Sequence, residues 1–63
     1  MNEKFKMSII NSYNNNIIEE FEITYDQLPN IGDRLGDINS MDKVVAIERF
    51  YRPEYHVHVY ISY

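Results

Sequence analysis

Val44-Val45-Ala46-Ile47-Glu48-Arg49-Phe50-Tyr51-Arg52, then Pro53-Glu54, then Tyr55-His56-Val57-His58-Val59-Tyr60-Ile61-Ser62-Tyr63: here β-branched and aromatic residues alternate with polar ones on both sides of one turn signal, the pattern of a long β-hairpin. In a chain of 63 residues this hairpin is a large share of the molecule and sets the class as all-β. Its register depends on the turn. A two-residue Pro53-Glu54 turn pairs Phe50 with Val57 and Glu48 with Val59, which places a carboxylate among apolar side chains at a desolvation cost of several kcal/mol if unpaired. A three-residue Pro53-Glu54-Tyr55 loop pairs Tyr51 with Val57, Arg49 with Val59, Ile47 with Ile61 and Val45 with Tyr63. It leaves only Arg49 misplaced, and a long stem can carry that guanidinium to the sheet edge or to a carboxylate such as Glu19. The three-residue version is preferred. The opposite face then carries Glu48, Phe50, His56, His58 and Tyr60.

Outward from this hairpin, size sets the next constraint. A domain this small buries only about 60% of the surface its unfolded chain exposes, and such domains are usually reinforced by disulfides, a metal or association. The chain has no cysteine, which removes disulfides and thiolate zinc sites. Association with a second copy or with another protein is the expected reinforcement. Ten acids against six bases give a net charge of −4, and the bases are scattered over Lys4, Lys6, Arg34, Lys43, Arg49 and Arg52. Nucleic-acid binders gather such residues on one face, so phosphate binding is not expected. The acids are denser at Glu19-Glu20-Glu22 and at Asp33, Asp37 and Asp42, where solvation of a strand face and a loop accounts for them. The apolar positions after Lys6 are too few for a signal-peptide core, and no stretch nears the roughly 20 apolar residues of a membrane span. The expectation is a cytoplasmic chain without membrane association.

The first third reads as a second hairpin. Phe5, Met7, Ile9 and Tyr13 share one parity, and so do Ile17, Phe21, Ile23 and Tyr25. Asn14-Asn15-Asn16 lies between them, and asparagine tolerates the left-handed conformation a tight loop needs. A three-residue loop there pairs Tyr13 with Ile17, Ile9 with Phe21, Met7 with Ile23 and Phe5 with Tyr25. A one-residue slip would turn the apolar set into water.

Between the hairpins, Gln27 to Ile38 holds Pro29 and both glycines. Pro29 ends the second strand because it has no amide hydrogen for a ladder, and Asp33-Arg34-Leu35 reads as a short additional strand crossing the sheet. The string Leu28-Pro29-Asn30-Ile31-Gly32-Asp33, followed by a short strand, Val44-Val45-x-Ile47 and the alternating C-terminal residues, resembles small uncharacterised β-barrel proteins of bacteriophages and mobile elements. Those proteins show a Pro-x-Ile/Val-Gly-Asp box ahead of their last hairpin. Over residues 28–63 the resemblance implies an SH3-like or split-barrel sheet in a protein that modulates a host protein, and it transfers no catalytic residue.

Three readings compete for the Glu48, Phe50, His56, His58 and Tyr60 face: a half-exposed strand surface, a protein interface, and a metal site built on His56 and His58 with Glu48 or Glu54. Aromatic and imidazole groups clustered on a strand surface resemble interface-core chemistry, and two histidines underdetermine a metal site. The interface is preferred, with no metal and no cofactor. Of the six tyrosines, Tyr13, Tyr25, Tyr51 and Tyr63 fall on core faces, which leaves Tyr55 and Tyr60 for contacts. No nucleophile-elbow context surrounds Ser8, Ser12, Ser40 or Ser62, and no spacing suggests a His-carboxylate-Ser set, so no enzymatic activity is expected.

The expected architecture is a small antiparallel sheet of four to five strands near 3–13, 17–26, 33–38, 43–52 and 56–63, SH3-like or a partly open barrel. Its core comprises Phe5, Met7, Ile9, Phe21, Ile23, Val45, Ile47, Val57, Val59 and Ile61, with Leu28, Ile31, Leu35 and Ile38 closing one end. The expected function is a non-enzymatic interaction module, homodimeric, such as a phage-encoded inhibitor of a host or defence protein. A binder of a nucleotide or metabolite at Gly32, Asp33, Arg34 and Gly36, or a structural assembly subunit, is the alternative.

Overall fold

Alternation of β-branched with polar residues produces four strands: β1 Lys4–Asn11, β2 Ile17–Thr24, β3 Lys43–Phe50 and β4 His56–Ser62. The computed structural model describes residues 3–35 and 42–62. The fold is all-β, and the four strands found among the described residues form one sheet in the order β2-β1-β4-β3, open rather than closed into a barrel. Among the described residues the only helical turn is the 3-10 segment Tyr25–Gln27. It is entered through Thr24, whose amide donates to Gln27 Oε1 at 3.2 Å and whose hydroxyl donates to Asp26. In the described part of the expected extra strand, residues 33–35, Arg34 forms an isolated bridge with Lys43, and Gly36, Ile38 and Tyr63 lie outside the described residues.

The two hairpins are antiparallel, but they join in parallel, Met7 beside Val57 and Ile9 beside Val59. This differs from the purely antiparallel sheet expected. It makes β1 and β4 central strands, bonded on both sides, and explains why β1 is buried on both of its faces at Ile9 and Ile10.

Both registers differ from expectation by two residues, and the faces are kept except beyond the bulges, where Ile17 and Val45, both expected on the core face, turn to the other side. In the first hairpin Phe5 pairs with Ile23 and Met7 with Phe21. The turn closes between Asn11 and Asn16, whose backbones bond at 2.9 Å, because two asparagine side chains hold it from inside. Asn11 Oδ1 accepts from the Tyr13 amide at 2.8 Å and Asn14 Oδ1 from the Asn16 amide at 3.0 Å. Asn15 takes the left-handed conformation at φ 60°. A bulge opposite Ile9 and Ile10 absorbs the odd residue and returns Phe21 and Ile23 to the core side. In the second hairpin Arg49 pairs with Val57 and Ile47 with Val59. The connection is therefore Tyr51–Tyr55, five residues with a cis Arg52–Pro53 peptide, in place of either shorter turn.

The core lies on one side of the sheet: Phe5, Met7, Ile9, Ile23, Val44, Val57, Val59 and Ile61, with Leu28, Leu35, Ile47 and Tyr55 packed against it. Val45, expected inside, is 43% exposed while Val44 is fully buried. A second bulge between Val44 and Ala46 reverses the two. The outer edge of β3 is held there by the preceding loop, with Gly32 N–H donating to Val44 O at 2.9 Å and Val44 N–H to Asp33 O at 2.8 Å. Phe21, Ile31, Tyr13, Tyr25 and Tyr51, also assigned to core positions, are exposed. The tyrosines sit at strand ends or in turns, where the sheet no longer covers them. Tyr55, set aside for contacts, instead packs on the core.

Candidate functional site

The face opposite the core is a grid read directly from the register. One row runs Glu22, Lys6, His56, Phe50; the next runs Glu20, Ser8, His58, Glu48; the third runs Ile17, Ile10, Tyr60, Ala46. All five residues singled out from the sequence therefore share one surface, on neighbouring strands β3 and β4. Phe50 stacks on His56 with centroids 4.9 Å apart and planes 6° from parallel. The same ring meets His58 at 4.6 Å and 53°, and the two imidazoles are 5.5 Å apart. Phe50, His56, His58 and Tyr60 are each half-buried. His56 Nδ1 lies 2.8 Å from the Glu54 carbonyl oxygen. A carbonyl can only accept, so that nitrogen carries the proton and the ring is fixed in orientation.

Hydrogen bonds decide what this face can do. The Tyr60 hydroxyl donates to Glu48 Oε1 at 2.5 Å, and the buried Ser8 hydroxyl donates to Glu20 Oε2 at 3.0 Å. Sequence spacing suggested no His-carboxylate-Ser set, yet the register places Ser8 beside His58 and His58 beside Glu48. A nucleophilic serine must give its proton to the imidazole, and here Ser8 points it at Glu20 while Tyr60 occupies Glu48. His56 and His58 do not gather with Glu48 or Glu54 into a group of three metal-ligating side chains among the described residues.

The Glu48 carboxylate, as hydrogen-bond acceptor first, then burial and the nearby negative charge, raises the Tyr60 phenol above its ordinary value of 10.0. A raised folded-state value means that this contact stabilises the fold below about pH 10 and is lost as pH rises through the folded value. Glu48→Gln is expected to lower the alkaline midpoint of Tyr60, read from its ring carbon shifts in an NMR titration.

No family model, curated protein or solved structure matches this chain. The site thus rests on its own geometry. The parallel join adds Lys6, Ser8 and Glu20, which with Pro53, Glu54, His56 and His58 line a shallow groove of about 300 Å³. Sequence reasoning passed over these three because nothing local announces which strands become neighbours. The one signal was the run Ile9-Ile10, which marks β1 as a central strand.

The loop singled out for a small ligand is built differently. Asn30 N–H donates to Asp33 Oδ2 at 2.8 Å and Asp33 N–H returns to Asn30 O at 3.0 Å, so the Asp33 carboxylate closes its own turn. Gly32 holds φ at 99°, and no atom of the described residues beyond its chain neighbours lies within 4 Å of where a Cβ would stand; the positive angle is what calls for glycine there. Its amide is already bonded to Val44 in β3, that of Leu35 to Asp42 just before β3, and Arg34 has an interaction partner of its own.

Proposed function

We propose that the chain is a non-enzymatic protein-interaction module and that the Phe50, His56, His58 and Tyr60 surface is where it associates. The observation that carries this reading is the Phe50 ring held against both imidazoles on a sheet face that leaves all three half-buried. Ordered aromatic groups that stay partly wet are the raw material of interface cores, because covering them releases water at little further cost in side-chain entropy. The first partner in this reading is a second copy of the chain. Lys4 and Lys6 lie on the same face as Glu20, Glu22 and Glu48, so the surface carries both signs of charge and can complement itself about a two-fold axis. The resemblance to phage and mobile-element β-proteins makes a host or defence protein the class of target that the assembled module would inhibit.

Phe50→Ala combined with His58→Ala is expected to shift the chain from dimer to monomer in sedimentation equilibrium with its far-UV spectrum unchanged. A wild-type chain that is monomeric at every concentration would refute the self-association. A double variant that stays dimeric would place the interface elsewhere.

A further inference from the structure

At the end of the sheet where β1 begins and the β3–β4 connection turns, four aromatic rings from three separate segments converge. Tyr25 from the 3-10 turn lies 6.2 Å from Tyr55 and nearly parallel to it, at 11°. Tyr51 meets Tyr55 at 5.4 Å and 46°. Phe5 sets its edge against both, at 5.9 Å from Tyr25 and 4.9 Å from Tyr55. These rings, with Glu3, Lys4 and Glu54, line a cleft of about 600 Å³. Tyr25 and Tyr51 remain 64% and 71% exposed. Folding therefore arranges two large rings around a third without burying them, which core packing does not require.

The chemistry of the lining selects a ligand. Aromatic faces carry negative quadrupole density and attract cations. The cleft adds two carboxylates, Glu3 and Glu54, against one ammonium, Lys4, while the Tyr55 hydroxyl is buried without a hydrogen-bond partner among the described residues. A strongly hydrated primary ammonium gains little by leaving water for such a surface, whereas a methylated ammonium is weakly hydrated and spreads its charge over apolar methyl groups. We propose that the Tyr25, Tyr51 and Tyr55 cleft binds a quaternary or methylated alkylammonium group, with Phe5 as its floor and Glu3 and Glu54 supplying counter-charge at the rim. The cleft borders the Phe50 and His58 face and shares Glu54 with the groove there, but its rings are different ones, so Tyr51→Ala tests it without touching that face.

The test is a titration of the full chain with choline and with its neutral isostere 3,3-dimethylbutan-1-ol, followed through the tyrosine ring resonances. Choline is expected to shift Tyr25, Tyr51 and Tyr55 saturably and to bind roughly tenfold more tightly than the isostere, the discrimination that two ring faces provide. Tyr51→Ala is expected to abolish the saturable shift and Glu54→Gln to weaken it several-fold, with the remaining resonances unmoved because both side chains are exposed. Equal binding of the isostere would show an apolar cleft with no preference for charge, and shifts that never saturate would show no site; either result overturns the proposal. A trimethyllysine peptide run in parallel distinguishes a protein-borne ammonium from a free one: tighter binding than choline assigns the cleft to a modified protein, and the reverse assigns it to a small metabolite.

Discussion

Val44→Asp is expected to leave the chain unfolded, while Val45→Asp keeps a cooperative thermal transition. Val44 is fully buried in the core and Val45 is 43% exposed beside it. A carboxylate placed at residue 44 would have no cationic partner in a cluster of valines, isoleucines, Met7 and Phe5. Burying an unpaired charge costs several kcal/mol, and a small domain has only about 5 kcal/mol in total. At residue 45 the same side chain reaches water, and exposed substitutions usually change stability by about 0.5 kcal/mol or less. Amide dispersion in a two-dimensional NMR spectrum separates the outcomes. The opposite result, with residue 45 intolerant and residue 44 permissive, would mean that β3 keeps simple alternation and that the bulge between Val44 and Ala46 does not form.

Proline substitutions are expected to divide the strands by their place in the sheet. β4 has neighbours on both sides, so all its amides are engaged, and His58→Pro and Tyr60→Pro should each lose about 3 kcal/mol or more. β2 has only β1 beside it, so its amides alternate between the ladder and solvent. Proline at Glu19, Glu20, Phe21 and Glu22, all exposed, should therefore be tolerated at every second position and destabilising at the others. Urea midpoints measured against the alanine variants at the same positions read this directly. A uniform response along β2, or tolerance within β4, would contradict the order β2-β1-β4-β3.

Much of this architecture was legible because side-chain parity is robust. Phe5, Met7, Ile9 and Ile23 were placed on one face, and Val57, Val59 and Ile61 on one face, from alternation alone. Those faces survive a two-residue change of register, since an even shift leaves every side chain on its own side. What alternation cannot report is where a turn closes. Asn11 and Asn14 capture the first turn through side-chain contacts, and the second widens to Tyr51–Tyr55. Bulges are invisible for the same reason: Val44 and Val45 are chemically identical, and only the contacts of Gly32 and Asp33 with the sheet decide which turns inward. The five residues of the candidate face were found because they lie within one hairpin. Lys6, Ser8 and Glu20 were not, because their adjacency to His56 and His58 arises between segments at opposite ends of the sequence. The aromatic cleft was missed for a related reason. Tyr25, Tyr51 and Tyr55 were sorted singly by parity, and parity has no meaning in the turns where they stand.

The parallel contact between β1 and β4 has a kinetic consequence. Each hairpin closes locally, on the microsecond scale typical of such turns, but two-stranded hairpins are marginal in water on their own. The contact that makes them stable joins residues 4–11 to residues 56–62, so it must close nearly the whole chain before it returns any favourable energy. Docking of the two preformed hairpins is then the slow step, and folding is set by the longest-range pairing in the molecule. During synthesis β1 waits with Phe5, Met7, Ile9 and Ile10 unprotected until β4 has emerged. That interval is when the nascent chain is open to chaperones, proteases and aggregation.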